Sequence, residues 1–256
     1  MVDKVILEVN KHIAKIVINN PEKNNSFDNN IIKDFIGFLN KIKINQDITI
    51  LILEAKGKYF SSGADLAWMQ EMINYSREDN YKDSLELAQM LNLLYSMPQV
   101  TIAKVNGPAY GGGVGLVACC DIAIASKEAQ FCFSEVKLGL VPAVISPYII
   151  RTIGLKQAKR YFVTAEQISA KRALEMELIN EVVELNLLDQ VVDNYVEKIS
   201  KNSSFAVKNC KDLLKYINNK ELDLDLLSYT AHKIANLRVS PDAQARLKKF
   251  LKIDKG

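Results

Sequence analysis

Histidine is scarce in this chain. His12 and His232 are the only two among 256 residues, and neither has cysteine or carboxylate neighbours at metal-ligand spacing. A histidine-based catalytic triad has little to draw on, and no G-x-S-x-G elbow is present to receive one. The four cysteines, Cys119, Cys120, Cys132 and Cys210, form no C-x-x-C pair. Two of them adjoin inside an apolar helix pattern, which reads as small buried residues of a reducing compartment. No glycine loop ends in G-K-[ST], which excludes a P-loop. No apolar run approaches the about 18 residues of a membrane span, and the start Met-Val-Asp-Lys has no signal-like apolar core. The expected location is the cytoplasm, with no membrane partner. A basic block is missing too: 33 Lys and Arg against 30 Asp and Glu leave a net charge of +3 scattered along the chain. Nucleic-acid binding is therefore not the expected main task.

What is present is ordinary globular material, 48% apolar and 25% charged. Val5–Val9 and Ile13–Asn19 read as a β-hairpin, and Asp28 as the N-cap of an amphipathic helix from Ile31. Ile48–Ala55 is a near-continuous apolar run, as in a strand buried on both faces. A short helix is expected from about Ala67 and a longer one from about Asp79 to Ser96, stopped by Pro98. Val100–Val105 is a strand, Val114–Cys120 a short apolar helix, and Ile122–Ala125 and Ala129–Phe133 are further strands. Beyond Pro147 the pattern is helical, with one short strand at 180–184. This predicts an α/β core over 1–195 and a helical C-terminal region over 196–256.

The chemistry concentrates in glycine. Gly107, Gly111, Gly112, Gly113 and Gly115, five of the chain's eleven, lie between a strand and a helix. The first amides of such a helix lack intrahelical partners and carry the positive end of its dipole, so this is an anion site. Gly113–Ala118 formally matches G-x-G-x-x-A, yet Asn-Gly-Pro-Ala-Tyr intervenes after the strand, which weakens a dinucleotide reading. A second loop, Ser62-Gly63-Ala64-Asp65, also offers amides at a helix start. Two convergent amides make an oxyanion hole, and a nearby carboxylate could move the proton at the adjacent carbon.

Five segments carry a resemblance. They are Asn20-Pro-Glu-Lys-Asn-Asn-Ser-Phe-Asp28, Phe60-Ser-Ser-Gly-Ala-Asp-Leu66, Asn106-Gly-Pro-Ala-Tyr-Gly-Gly-Gly113, Cys120-Asp-Ile-Ala123 and Phe133-Ser-Glu-Val-Lys-Leu-Gly-Leu-Val-Pro142. In order and spacing the chain resembles the enoyl-CoA hydratase/isomerase (crotonase) superfamily. Ala64–Met69, Ser134–Lys137 and Pro142–Pro147 look most like the methylglutaconyl-CoA and carboxygeranoyl-CoA-type hydratases of leucine and terpenoid breakdown. The resemblance implies an α/β spiral of β-β-α turns, a trimerising helical C-terminal part, and a homotrimer or dimer of trimers. It implies an acyl-CoA substrate, with coenzyme A part of the thioester and no metal or further cofactor. The amides of Ala64 and Gly112 would hold the thioester oxygen, and Glu135 would be the catalytic acid/base. Lys23 would meet a phosphate or ribose of CoA, and Phe250, within the basic piece Lys248–Lys252, its adenine end. Ser62, Gly63, Asp65 and Leu66 on one loop, Tyr110 and Gly111 on the other, and Pro142 with Ala143 are taken to bound the substrate. Trp68, Met69 and Met72 are candidates for the acyl pocket, with core packing the competing reading; for Asp65 the competing reading is a helix cap.

One position departs from the pattern. The family's two-glutamate hydratases carry their other glutamate two residues after the triple glycine, where this chain has Gly115. Hydration of a 2-enoyl-CoA is the leading expectation. Double-bond isomerisation, which needs one glutamate, and non-catalytic acyl-CoA binding stay open. The missing side chain at Gly115 is read as room for a bulkier or carboxylated acyl group.

Overall fold

The computed structural model describes residues 3–218 and 220–252. The chain divides after Tyr195 into two compact units.

In the first unit β1 (Val5–Asn10) and β2 (Ile13–Ile18) form the antiparallel hairpin, Val5 opposite Ile18. The helix α1 (Asn29–Ile44) begins where Asp28 Oδ1 accepts the Ile31 N–H at 2.9 Å. Its stripe of Ile31, Ile32, Phe35, Leu39 and Ile42 is buried. Each such side chain contributes about 1.5–3 kcal/mol of hydrophobic stabilisation. The strand β3 (Ile50–Ala55) has four fully buried residues in sequence, as its unbroken apolar run requires. After it come the short α2 (Leu66–Met72), the long α3 (Arg77–Tyr95) and β4 (Val100–Val105). The pair β5 (Ala109–Tyr110) then leads into α4 (Gly112–Cys119), followed by β6 (Ile122–Ser126) and β7 (Gln130–Cys132). The unit continues through α5 (Ser146–Thr164), broken at Gly154 where φ is 74°, then β8 (Ile168–Ser169), α6 (Ala170–Glu175) and β9 (Glu181–Val183).

Two sheets result. One runs β1-β2-β3-β4-β6-β9 and is parallel beyond the opening hairpin; the other, smaller, runs β5-β7-β8. The strand β8 corrects the expectation of a single strand beyond Pro147. At two residues it is too short to show any periodicity, and it exists because Ile168 and Ser169 pair antiparallel with Phe131 and Gln130. The smaller sheet matters for function, since β5 delivers the chain to the glycines and β7 to Glu135.

The helix α7 (Leu188–Ser200) runs across the division between units. The second unit then carries α8 (Ser204–Ile217), α9 (Leu224–Arg238) and α10 (Pro241–Phe250). Ser203, Asp223 and Ser240 cap these three through side-chain oxygens, and Tyr216 stacks on Tyr229 with ring centroids 3.7 Å apart.

Candidate active site

The site grows from two bridges between loops. Phe27 donates its N–H to Gly63 O at 2.7 Å, and its own carbonyl accepts the Asp65 N–H at 2.8 Å. This is the pattern of a parallel bridge, in which the residue between the two bonded positions turns its N–H the other way. The Ala64 N–H therefore faces away from Phe27, and Ala64 is exposed. In the second bridge Tyr110 N–H donates to Ser61 O at 2.8 Å, and Ser61 N–H to Pro108 O at 3.2 Å, which binds the first glycine loop to β5.

These bridges press the loops together. A Cβ on Gly63 would lie 3.1 Å from the Tyr110 carbonyl oxygen, and one on Gly113 2.9 Å from Ser61 Cβ. Gly63 has φ 87° and Gly111 has φ 48°, the left-handed region that favours glycine. Gly111 N–H is held by Cys132 O at 3.0 Å, leaving Gly112 as the first residue of α4. A first-turn N–H has no intrahelical acceptor. Among the described residues neither Ala64 nor Gly112 spends its N–H on the protein.

Glu135 completes the arrangement. It opens a 3₁₀ turn, Glu135–Leu138, separated from the end of β7 by two residues, and the turn closes as Gly139 and Leu140 donate to the Glu135 carbonyl. Its Oε1 lies 3.2 Å from where a Cβ on Gly111 would stand, so any larger residue there would crowd the carboxyl as well as strain the backbone. The other oxygen, Oε2, is buried with no hydrogen-bond partner among the described residues. Burial pushes the carboxyl above its ordinary value, opposed only by its own backbone N–H. A carboxyl held so, one residue from a free helix N-terminal amide, can hold or release a proton beside a developing anion.

The remaining candidates divide. Asp65 is not free to bind substrate. Its Oδ1 accepts the Ala67 and Trp68 N–H groups, and its Oδ2 accepts from Lys23 at 2.8 Å and Ser26 at 3.2 Å. Burial raises its carboxyl, but the Lys23 ammonium and the two amides outweigh that and hold it below the usual range. Lys23 is correspondingly ion-paired at the loop, its side chain half exposed. Trp68 lies in the core with Nε1 donating to Asp83 at 3.2 Å, the competing reading for that residue. Met69 and Met72 are partly buried and Leu66 is 82% exposed. Ser62 lies in the first loop, and Tyr110 meets Tyr59 edge-on. Pro142 is buried and Ala143 exposed in the turn before α5. Phe250 belongs to the second unit, 82% exposed on α10.

Gly115 leaves no open room, which corrects the expectation of extra acyl space. A Cβ there would meet Ile145 Cγ2 at 2.4 Å and Leu91 Cδ1 at 3.5 Å. The volume is already filled. Sequence reasoning also missed Phe27, whose ring edge lies 3.2 Å from where a Cβ on Gly112 would stand, and Asn25, which ties the loops from 0% exposure. Asn25 Nδ2 donates to Lys56 O and Tyr59 O, and its Oδ1 accepts the Asn20 N–H. A backbone at φ 56° was the only signal it could have given, through the preference of asparagine for left-handed positions.

A six-stranded and a three-stranded sheet, a helix springing from glycines and a partly buried carboxyl beside its start define an α/β protein of the crotonase fold. Residues 8–248 match the family enoyl-CoA hydratase/isomerase, and the chain belongs to it. A Legionella pneumophila protein, provisionally described as an enoyl-CoA hydratase/isomerase (crotonase), is 43% identical in its crystal structure, with a TM-score of 0.94 over 98% of this chain and 97% of that one. An enoyl-CoA hydratase from Shewanella pealeana is 39% identical with the same TM-score, covering 98% and 94%. The short-chain-enoyl-CoA hydratase of Clostridium acetobutylicum is 32% identical over 225 residues, 87% of this chain and 84% of that protein.

Proposed function

We propose that the protein is an acyl-CoA hydratase that adds water reversibly across C2=C3 of a 2-enoyl-CoA. The observation that carries this is Glu135, a partly buried residue whose Oε1 is set against Gly111 at the start of α4 and whose Oε2 is buried and, among the described residues, unpartnered. The thioester oxygen accepts from the Ala64 and Gly112 N–H groups. Glu135 as carboxylate takes a proton from water as its oxygen bonds to C3, and electrons shift onto the thioester oxygen as an enolate. The same carboxyl then returns a proton to C2 as the enolate collapses to the thioester. One group acts as base and then acid, so nothing is consumed but water. Coenzyme A enters as part of the substrate, and no step calls for a metal or redox cofactor.

The hydratase names of the similar proteins support this reading, and the motif resemblance favours a branched acyl group such as 3-methylglutaconyl, as in leucine breakdown. With that resemblance go a homotrimer or dimer of trimers and a cytoplasmic location. A second reading is favoured by one observation: Ile145 fills the volume at Gly115, so no second carboxylate reaches in from α4. An isomerase needs only Glu135, carrying a proton between C2 and C4.

The test is absorbance of the conjugated enoyl thioester with crotonyl-CoA and 3-methylglutaconyl-CoA. Loss of the conjugated band with solvent oxygen in the product supports hydration. Turnover confined to 3-enoyl-CoA with no oxygen incorporated supports isomerisation. Silence toward both classes with CoA thioesters still bound, unchanged in Glu135→Gln, supports a binding protein.

A further inference from the structure

The short helix that follows the Ala64 loop has little to hold it. Of the residues of α2, Leu66–Met72, only Trp68 is buried, with Met69 and Met72 partly so. The direction of the helix therefore rests on the Asp65 cap and on that one side chain. Trp68 is held by polarity as well as packing, since its Nε1 donates to Asp83 Oδ1 at 3.2 Å. Asp83 stands on α3 in line with Leu87, Met90, Leu91 and Leu94, the stripe by which that helix meets the core, where packing alone would call for an apolar residue. The Asn29 side-chain amide, two residues past Phe27, acts on the same carboxyl and favours its charged form. Phe27 is the partner of Ala64 in the parallel bridge, and its ring edge borders Gly112. One carboxylate thus joins the two segments, 27–29 and 64–68, between which the Ala64 N–H is aimed.

We propose that Asp83 is a positioning residue for the reaction: by holding Trp68 and Asn29 it fixes the bridge between Phe27 and Ala64, and so the direction of the Ala64 N–H toward the thioester oxygen. The inference rests on the reading of the site as one for enoyl thioesters. An oxyanion donor contributes most when the negative charge is fully developed, so misdirecting that amide falls on kcat more than on substrate binding. The charged and titratable groups around Asp83 are Glu86 on its own helix, Lys33 on α1 and the Tyr75 hydroxyl ahead of α3. Burial raises the Asp83 carboxyl and outweighs the lowering by Trp68, Asn29 and Lys33, so it titrates above its ordinary value. That titration changes a charge-assisted bond to the chain's single indole.

The experiment compares wild type with Asp83→Ala, Asp83→Asn, Trp68→Phe and the double variant Asp83→Ala with Trp68→Phe, on the enoyl-CoA that wild type turns over fastest. Each is assayed where a denaturant transition shows it folded. In Asp83→Ala and in Trp68→Phe kcat is expected to fall about tenfold or more with KM within about twofold, as misplacing a catalytic group does. The double variant is expected to fall no further than the worse single one, since both remove the same contact. Asp83→Asn, which keeps an acceptor for the indole N–H, is expected to recover most of kcat. Without substrate, Trp68 emission in wild type is expected to step with pH at a midpoint above the ordinary carboxylate range, and Asp83→Asn to lose that step. Should kcat stay within about twofold of wild type in the folded Asp83→Ala and Trp68→Phe variants, or the two losses multiply in the double variant, or the emission step persist in Asp83→Asn, this inference falls while the enzymatic reading stands. A wild type that turns over no enoyl thioester overturns both.

Discussion

Lys23 Nζ stands 2.8 Å from Asp65 Oδ2, while the other oxygen of that carboxylate takes the Ala67 and Trp68 amides in the first turn of α2. One side chain thus ties the 3₁₀ turn Pro21–Lys23, the loop that carries Ala64, and the helix that follows it.

Asp65→Ala should loosen that loop. Losing a buried N-cap costs about 1–2 kcal/mol, and the orphaned partners add to it. Trp68 is the chain's single tryptophan, so its emission reports the first turn of α2 directly. The expected result is a red-shifted Trp68 signal, a lowered Tm and a loss in kcat greater than that in binding. Because the folded Asp65 carboxyl is held low, its stabilisation is present above the ordinary carboxylate range and fades as pH falls through the depressed value. Acid titration of wild type and variant should therefore converge at low pH.

Glu135→Gln should trade activity for stability. Removing the proton carrier is expected to lower kcat by about 10²–10⁴-fold. Burial raises the folded carboxyl's pKa, so its ionisation opposes folding. Below the ordinary range both folded and unfolded chains hold the proton and the penalty vanishes; it grows as pH rises and is complete above the raised folded value. The glutamine variant should thus melt above wild type at neutral pH and level with it in acid. In the active enzyme, kcat/KM should fall on the acid side with a midpoint above the ordinary glutamate value.

Asn25→Ala removes three hydrogen bonds from a position with 0% exposure and strands two carbonyls. A loss of about 2–4 kcal/mol is expected from orphaned buried groups, read as a shift in the denaturant midpoint. Asn25→Asp should fail nearly as badly, since both carbonyls would then face a carboxylate instead of an N–H donor.

Gly107→Ala should be worse than most glycine replacements. The added Cβ would lie 1.9 Å from Lys58 O, which is backbone and has no rotamer by which to withdraw. Poor soluble yield or a loss of several kcal/mol is expected, against near-neutrality for Gly37→Ala, where nothing lies within 4 Å.

Much of this architecture could be read from local pattern. The Asp28 cap, the apolar run of β3 and the glycine entry to α4 are decided within a few residues, so sequence shows them. The resemblance drew attention to Ala64, Gly112 and Glu135, and the fold sets Glu135 against the start of α4. What local pattern does not carry is which distant side chain fills a vacancy. Gly115 reads as missing bulk; that Ile145, thirty positions on, supplies it is a fact of packing. Asp65 was ambiguous for a related reason, since a cap and a ligand contact use the same residue type before the helix, and only Lys23 and Ser26 arriving from another loop decide it.

The contact between Gly115 and Ile145 also orders history. With a Cβ at 115 only 2.4 Å from Ile145 Cγ2, a glutamate cannot arise on α4 while isoleucine holds the notch. A lineage gaining that second carboxylate must first shrink or move the residue at 145, and one losing it can then fill the gap with an aliphatic chain that bars return. For a chain of this sequence moving toward the second carboxylate, the change at 145 is therefore expected before the change at 115.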